Sequence, residues 1–420
     1  MDSFLTITMI GMEMLPVLHN NTIAAQKVSR KYESQFARAG AKIGATFGVR
    51  KPPKYNVSNG PTFVAQDYQE YQVQLTVDQH KQVGVEFLDD DLTLSMDDFS
   101  GRVLAPALVP LANTVDQYLL SQFIYAYNTT GTPGTPASED TPFLDARVKM
   151  VDNAAEMLKP WPMIVNPRTS ARLSSGLAGR FNPSDSISEL FKMGAMNNSW
   201  KSMGMALGWD FYESQNTLTQ LTGAWVSAVP ATGITVRGAN QVGGSINLQG
   251  FSTSVAQGNQ GDVIQLAGVY TVNPITYQST GDLQDFVVGA NFSSDGSGYA
   301  TVTISPPIQL TGKDQTVNAS PANSAQVTVF GTATTANIAN QTSPTCCGWS
   351  EDAITLACVD LKLFNEGEGI QCVRVKDDDL GLSLMFSRGG DIREFAEISR
   401  VDILFGAVLT RPEHFVRVQA

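Results

Sequence analysis

The chain has 420 residues, 42% of them hydrophobic and 16% charged, which allows roughly two or three domains with real cores and excludes a disordered chain. Its net charge of −12 makes a surface that repels phosphate backbones, so specific nucleic-acid binding is not expected. Four cysteines, Cys346, Cys347, Cys358 and Cys372, show neither C-x-x-C nor zinc-ribbon spacing and read as free thiols of a reducing compartment.

Residues 1–40 read as an amphipathic arm. Ile7, Ile10, Met14 and Leu18 recur at helical spacing, and Ile23, Val28 and Tyr32 do so more loosely. The start lacks a basic segment and carries Asp2 and Glu13, so no export leader is expected. No run reaches the ~18 apolar residues of a membrane span. Residues 41–88 change to an extended pattern. Tyr71–Val77 and Val83–Phe87 alternate apolar and polar residues, and Pro52, Pro53, Asn59, Gly60 and Pro61 punctuate the stretch, which predicts a long β-hairpin.

Residues 98–128 are the clearest helix, with Leu104, Leu108, Leu111, Val115, Leu119 and Phe123 on one stripe. Pro106 and Pro110 require that it start near Pro106 or bend there. A second helix is predicted from Asp145 to Leu158, stopped by Lys159-Pro160-Trp161-Pro162 and followed by a buried strand at Met163–Val165. Alternating helix and strand predict an α+β body, and residues 89–225 are assigned to it.

Residues 226–345 differ sharply. They hold seven charged residues (Arg237, Asp262, Asp282, Asp285, Asp295, Lys313 and Asp314) and no Met, Cys, Trp or His. Short alternating runs at 233–236, 245–248, 263–266, 269–272, 300–304 and 326–330, separated by turn clusters, predict a small all-β barrel or sandwich. Residues 346–420 return to the style of the first half, so this barrel reads as an insertion into a host domain.

The chemistry is sparse. His19, His80 and His414 stand at no metal or catalytic spacing to another histidine, cysteine or carboxylate, and no nucleophile elbow, Walker loop or dinucleotide fingerprint is complete. No catalytic residue, cofactor or metal site is expected, and the chain does not read as an enzyme. The acidic triplets Asp89-Asp90-Asp91 and Asp377-Asp378-Asp379 read as solvated loops or salt-bridge faces between subunits, with a cation site the weaker alternative. Arg50, Lys51 and Lys54 form a tight basic clump, read either as a solvated hairpin tip or as a partner for acidic residues of a neighbouring subunit.

The order arm, hairpin, long helix, α+β body, inserted barrel and return resembles the major capsid protein of tailed bacteriophages with the Hong-Kong-97-type fold. Within that group the chain is similar to the coat proteins of P-twenty-two-type short-tailed phages. Local stretches carry the likeness: Ala231 to Val236, Gly261-Asp262 with Ala267-Gly268-Val269, Trp349 to Ile354, Gly390-Asp391-Ile392, Phe405-Gly406 and Thr410 to Glu413. The resemblance implies an N-terminal arm at 1–40 and an extended loop at 41–88 overlapping a neighbour. It implies a peripheral domain with a spine helix at 98–128, and an axial domain shared between the end of 89–225 and 346–420. It also implies self-assembly into pentamers and hexamers of an icosahedral phage head, put together in the host cytoplasm. Expected partners are a scaffolding protein, a portal protein at one vertex, a decoration protein and packaged double-stranded DNA held without specific binding; no membrane is expected. In this family a loop early in the inserted domain bridges capsomers through acidic residues. Here residues 238–261 carry no charge, so any contact of the barrel with a neighbour is expected to be polar or apolar, with Leu248 and Phe251 as candidates, and cementing by another protein stays open. Two other classes stay open on the residues: a cargo-enclosing nanocompartment shell of the same fold, and a glycan-binding surface or adhesive protein.

Overall fold

The computed structural model describes residues 7–31, 46–88 except nine positions between 56 and 69, 105–178 except 158, 202–228, 233–330, 341–363, 370–377, 380–391 and 396–419. In chain order these form α1 (Ile7–Asn21), β1 (Thr46–Lys51), β2 (Tyr71–Thr76), β3 (Gln79–Leu88), α2 (Ala105–Ser121), β4 (Asn128–Gly131), α3 (Thr141–Asp152), β5 (Trp161–Val165) and α4 (Pro167–Ala178). There follow β6 (Ser202–Ala206), β7 (Trp209–Glu213), β8 (Thr219–Leu221), β9 (Thr235–Val236), β10 (Gly243–Gln249), β11 (Ala256–Gly258), β12 (Val263–Val272), β13 (Ser279–Val288), β14 (Phe292–Ser293), β15 (Tyr299–Ile308) and β16 (Val327–Val329). The chain closes with β17 (Thr342–Trp349), β18 (Ile354–Cys358), β19 (Ile370–Asp377), β20 (Leu382–Asp391), β21 (Ala396–Leu409) and β22 (Phe415–Gln419). Two compact units result. One comprises 1–51, 72–119 and 354–410, the other 52–71, 120–353 and 411–420.

In the first unit, β18, β21, β20 and β19 form an antiparallel sheet in that order, and β3 joins it along β21. The runs at 71–77 and 83–87 are not partners of each other. β2 pairs with β1 instead, and β3 pairs with residues 396–405 of β21. Both segments are strands, as the alternation predicts; β2 finds its partner earlier in the chain and β3 finds one far later in it. Val49, Leu75, Val77, Ala357, Val359 and Leu404 share one core cluster there. Gly406 is required where that cluster is tightest, because any Cβ would collide with the Thr76 carbonyl. The arm helix α1 buries Met14 and Leu18, and its Gly11 lies against Val375 and Val373 of β19.

The stripe of α2 is buried as the spacing predicts, with Leu108, Leu111, Val115 and Leu119 inside. Pro106 sits in its first turn, where its missing N–H costs nothing, and Pro110 lies within the helix. Residues 98–104 lie outside the described residues. At its other end α2 gives way to a 3-10 turn at Gln122–Tyr125, and by Asn128 the chain is strand, so the helix is shorter than predicted. Asp116 on α2 accepts hydrogen bonds from the backbone N–H of Ile23 (2.7 Å) and Ala25 (3.3 Å), which fixes the arm's turn to this helix. The second predicted helix is shifted to Thr141–Asp152. Pro142 starts it, and Asn153 ends it by turning its side-chain amide onto the Lys149 carbonyl.

In the second unit a seven-stranded mixed sheet runs β4, β22, β17, β5, β7, β6, with β8 beside β17. Residues 225–330 form a separate six-stranded sheet in the order β16, β12, β13, β15, β10, β9. Its first and last strands are themselves joined: Val236 N–H donates to the Ala325 carbonyl and Val327 N–H to the Ile234 carbonyl, at 2.9 and 3.0 Å. The runs predicted at 263–266 and 269–272 are one strand, β12, interrupted by an irregularity in pairing. The core of this β-module includes Trp225, one residue before the expected edge, and β17 belongs to the other sheet. Trp225, Phe251 and Phe292 contact one another with ring centroids 5.1 to 6.1 Å apart. β8 and β17, the strands before and after the module, pair with each other (Gln220 opposite Ser343), and Thr222 N–H donates to the Gln341 carbonyl.

Candidate functional site

The residues expected to meet a neighbour fall in different settings. Arg50 and Lys51 lie on β1 and Lys54 follows it, with Arg50 and Lys54 exposed. The tip beyond them presents apolar groups that the sequence reading passed over: Val57 is 94% exposed, Phe63 89% and Tyr55 57%. Where the loop enters β2, the Tyr71 hydroxyl donates to Asp314 at 2.5 Å.

Leu248 and Phe251 are 0% and 1% exposed. Both side chains belong to the core of the β-module, which corrects the expectation that they form an apolar contact with a neighbour. The uncharged stretch 238–261 holds the strands β10 and β11. Its alternation turns Ile246 and Leu248 inward together, and Val242 and Val255 are its exposed large apolar groups.

Asp377 is nearly buried at the end of β19. It accepts the Leu380 N–H at 3.1 Å and contacts His19 Nδ1 of α1 at 3.3 Å. Asp378, Asp379 and the triplet Asp89-Asp90-Asp91 lie outside the described residues. His80 meets Asp402 at 2.9 Å, and Asp402 also takes a two-pronged contact from Arg400. Two of the three histidines thus have carboxylate partners that sequence spacing did not reveal, because each partner lies more than 300 positions away in the chain. His414 is buried against the Asn153 carbonyl at 3.2 Å, and burial lowers its pKa. Among the described residues no group of three His, Cys, Asp or Glu side chains is placed to hold a metal. Burial pushes the Cys346 thiol up to about 11 and raises Cys347 further, which leaves neither poised as a nucleophile.

The strongest electrostatic feature was not predicted. Arg417 of β22 is 0% exposed. Its Nε donates to Thr129 Oγ1 of β4 at 2.8 Å, Nη1 to Gln220 Oε1 of β8 at 2.6 Å, and Nη2 to the Gly261 carbonyl of the β-module at 2.5 Å. Gly261 has φ +90°, and a Cβ there would press on Ile124. Beside it Asp262 accepts from Trp225 Nε1 (2.7 Å), Asn259 N–H (2.9 Å) and Gly223 N–H (3.0 Å). A second module carboxylate, Asp285, pairs with Lys149 of α3 and accepts the Thr129 N–H at 3.2 Å. Burial pulls the Arg417 guanidinium down to about 10 and raises the Asp262 carboxyl, so each charge is held at a cost that its hydrogen bonds offset in part. The arrangement holds two protein segments together and offers no open position for a reacting atom.

A family model described as "P22 coat protein - gene protein 5" matches residues 3–419. No curated protein matches the chain. Among solved structures, the chain is similar to one from Mycobacterium phage Che8, with 11% identity over 94% of this chain and 90% of that one and a TM-score of 0.42. It is similar to the capsid of Ralstonia phage GP4, with 9% identity over 93% and 86% and a TM-score of 0.42. The CUS-3 coat protein I-domain aligns at 25% identity with 24% of this chain and 97% of its own length, at a TM-score of 0.18.

Proposed function

The chain belongs to the P22 coat protein family, and from that premise we propose that it is the major subunit of an icosahedral phage head, assembling as pentamers and hexamers around double-stranded DNA. As a member of this family it is a phage coat protein with the α+β capsid fold, a structural protein of the virion's homo-oligomeric shell and not an enzyme. The observation that carries the finer reading is the extent of the match, 3–419, which takes in arm, hairpin, body and β-module together.

Each part then has a role. The hairpin of β1 and β2 overlaps a neighbouring subunit, and its exposed loop residues Tyr55, Val57 and Phe63 support this, since exposed aromatic and β-branched groups favour a partner surface. Residues 225–330 act as an inserted domain. The side-by-side strands β8 and β17 support that reading, because the chain leaves and re-enters the host sheet at one stem. Asp89, Asp90, Asp91, Asp378 and Asp379 remain candidate intersubunit contacts for the basic residues Arg50, Lys51 and Lys54. A scaffolding protein guides assembly, a portal occupies one vertex, and a decoration protein binds outside. A net charge of −12 suits a wall along which DNA slides without being gripped.

The test is electron microscopy of the full chain, expressed alone and together with the scaffolding protein encoded beside it. Uniform closed particles in the co-expression are expected, with aberrant particles or none from the chain alone. Small discrete oligomers under both conditions would overturn the reading.

A further inference from the structure

The foot of the β-module is unusual for a contact inside one subunit. Apolar contacts hold two surfaces together without fixing their angle, because the hydrophobic effect is non-directional. Here the contact is polar and buried. Arg417, Asp262, Asp285, Thr129, Gln220 and Gln419 are each no more than 5% exposed. Ser343 Oγ, Thr345 Oγ1 and Gln419 Oε1 are buried with no hydrogen-bonding partner among the described residues, so the layer is expensive as a source of stability.

We propose that Arg417 is a positioning residue: its guanidinium fork keys the β-module to the coat subunit's own sheet at a single angle, so that every copy presents the module alike. Three acceptors on three separate segments surround the fork: Thr129 on β4, Gln220 on β8 and Gly261 at the turn before β12. Because the donors of a guanidinium point in fixed in-plane directions, the bonds to Thr129 and Gln220 hold the fork in the body's sheet, and the third sets the direction from which the Gly261 carbonyl of the module meets it. Two further attachments join the module to the body. Asp285 pairs with Lys149, and Asn273 Nδ2 of the turn after β12 donates to the Asp152 carbonyl at the end of α3, at 2.9 Å. Together with the stem, β8 on β17, these points define an orientation and not merely an attachment. Lysine has the charge but not the fork, and methionine has the length but neither.

The experiment uses the full-length unassembled subunit with spin labels at Val242 of the module and Met157 of the body, both exposed, in a Cys372→Ser background. Pulsed dipolar spectroscopy reads the distance distribution between them. The wild type gives one narrow peak. Arg417→Met about doubles its width or splits it, as expected for segments freed to move, and Arg417→Lys falls between the two. A merely stabilising Arg417 lowers the unfolding midpoint and leaves the width unchanged, which overturns the proposal. A wild-type width in Arg417→Lys overturns the role of the fork. If Arg417→Met does not fold, Gln220→Leu, which removes one acceptor and no charge, is read by the same criteria. The inference rests on the inserted-domain reading, which is tested separately by whether residues 222–341 give a dispersed NMR spectrum alone; the distance width tests the clamp.

Discussion

The interior of the β-module and its foot are made of opposite materials, although one stretch of chain supplies both. Inside, Trp225, Phe251 and Phe292 meet at tilted or edge-on ring angles, and Ile246, Leu248, Ile264 and Val302 are fully buried around them. At the foot, Asp285 pairs with Lys149, and Asp262 follows Gly261, whose carbonyl accepts from Arg417. Of the seven charged residues in the module, these two acids are the ones removed from solvent. The contrast separates two tasks. Apolar burial is generous but indifferent to angle, and polar burial is costly but directional. The interior supplies the stability of the module and the foot supplies its placement.

The largest effect that sharpens this contrast is in the interior. Phe251→Ala removes a ring packed on two others and leaves a cavity, at a cost of about 3–5 kcal/mol, read from the denaturant midpoint of the unassembled subunit. At the foot, Lys149→Met leaves Asp285 buried beside an apolar group, for about 2–3 kcal/mol. Adding Asp285→Asn recovers most of that loss, because the uncompensated charge is gone, and the double-mutant cycle reads the recovery. A foot variant costing more than Phe251→Ala would break the division of labour.

The interior was legible in the sequence and the foot was not, for definable reasons. Ile246 and Leu248, or Val302 and Ile304, alternate with polar residues, and that period alone places them on one face. β13 escaped notice because its first half, Ser279–Gln284, carries Gly and Asp where a strand signal needs branched residues. Phe415-Val-Arg-Val-Gln419 reads as a half-exposed strand with Arg417 facing water. It is buried on both faces, and only the folded chain brings Gly261 and Gln220 to the arginine from about 156 and 197 positions away. The partners of 71–77 and 83–87 were hidden in the same manner: the alternation gave strands, but partner choice depended on β1 and β21. Local period survives in a single sequence, and long-range pairing does not.

A smaller effect concerns pH. Burial raises the Asp262 carboxyl above its ordinary 3.8. The folded chain therefore holds that proton more tightly than the unfolded chain, and the associated stability is present in full below 3.8 and lost as pH rises through the folded value. The bonds from Trp225, Asn259 and Gly223 favour the ionised form and limit the loss. Asp262→Asn removes this titration. Urea midpoints measured from about pH 4 to 7 should show wild type declining relative to the variant as pH rises. A difference independent of pH would mean that Asp262 carries no such cost.

The smallest effect on the fold is expected at the hairpin tip, where, among the described residues, the large apolar groups most exposed to solvent stand. Phe63→Ser removes a ring that is 89% exposed, so the unfolding midpoint of the subunit should move by no more than about 0.5 kcal/mol. If the tip seats on a neighbouring copy, the same change sharply lowers the yield of closed particles, because an exposed aromatic anchor becomes a buried one only in the assembly. Ile275 is the control. It is 72% exposed on the turn between β12 and β13, outside the hairpin, and Ile275→Ser should leave both readouts unchanged. Equal loss of particles in the two variants would mean that surface hydrophobicity in general promotes assembly. Normal particles from Phe63→Ser would mean that the tip is solvated in the shell. Loss confined to Phe63→Ser gives the tip the inverse of the interior's role, with stability unchanged and association lost.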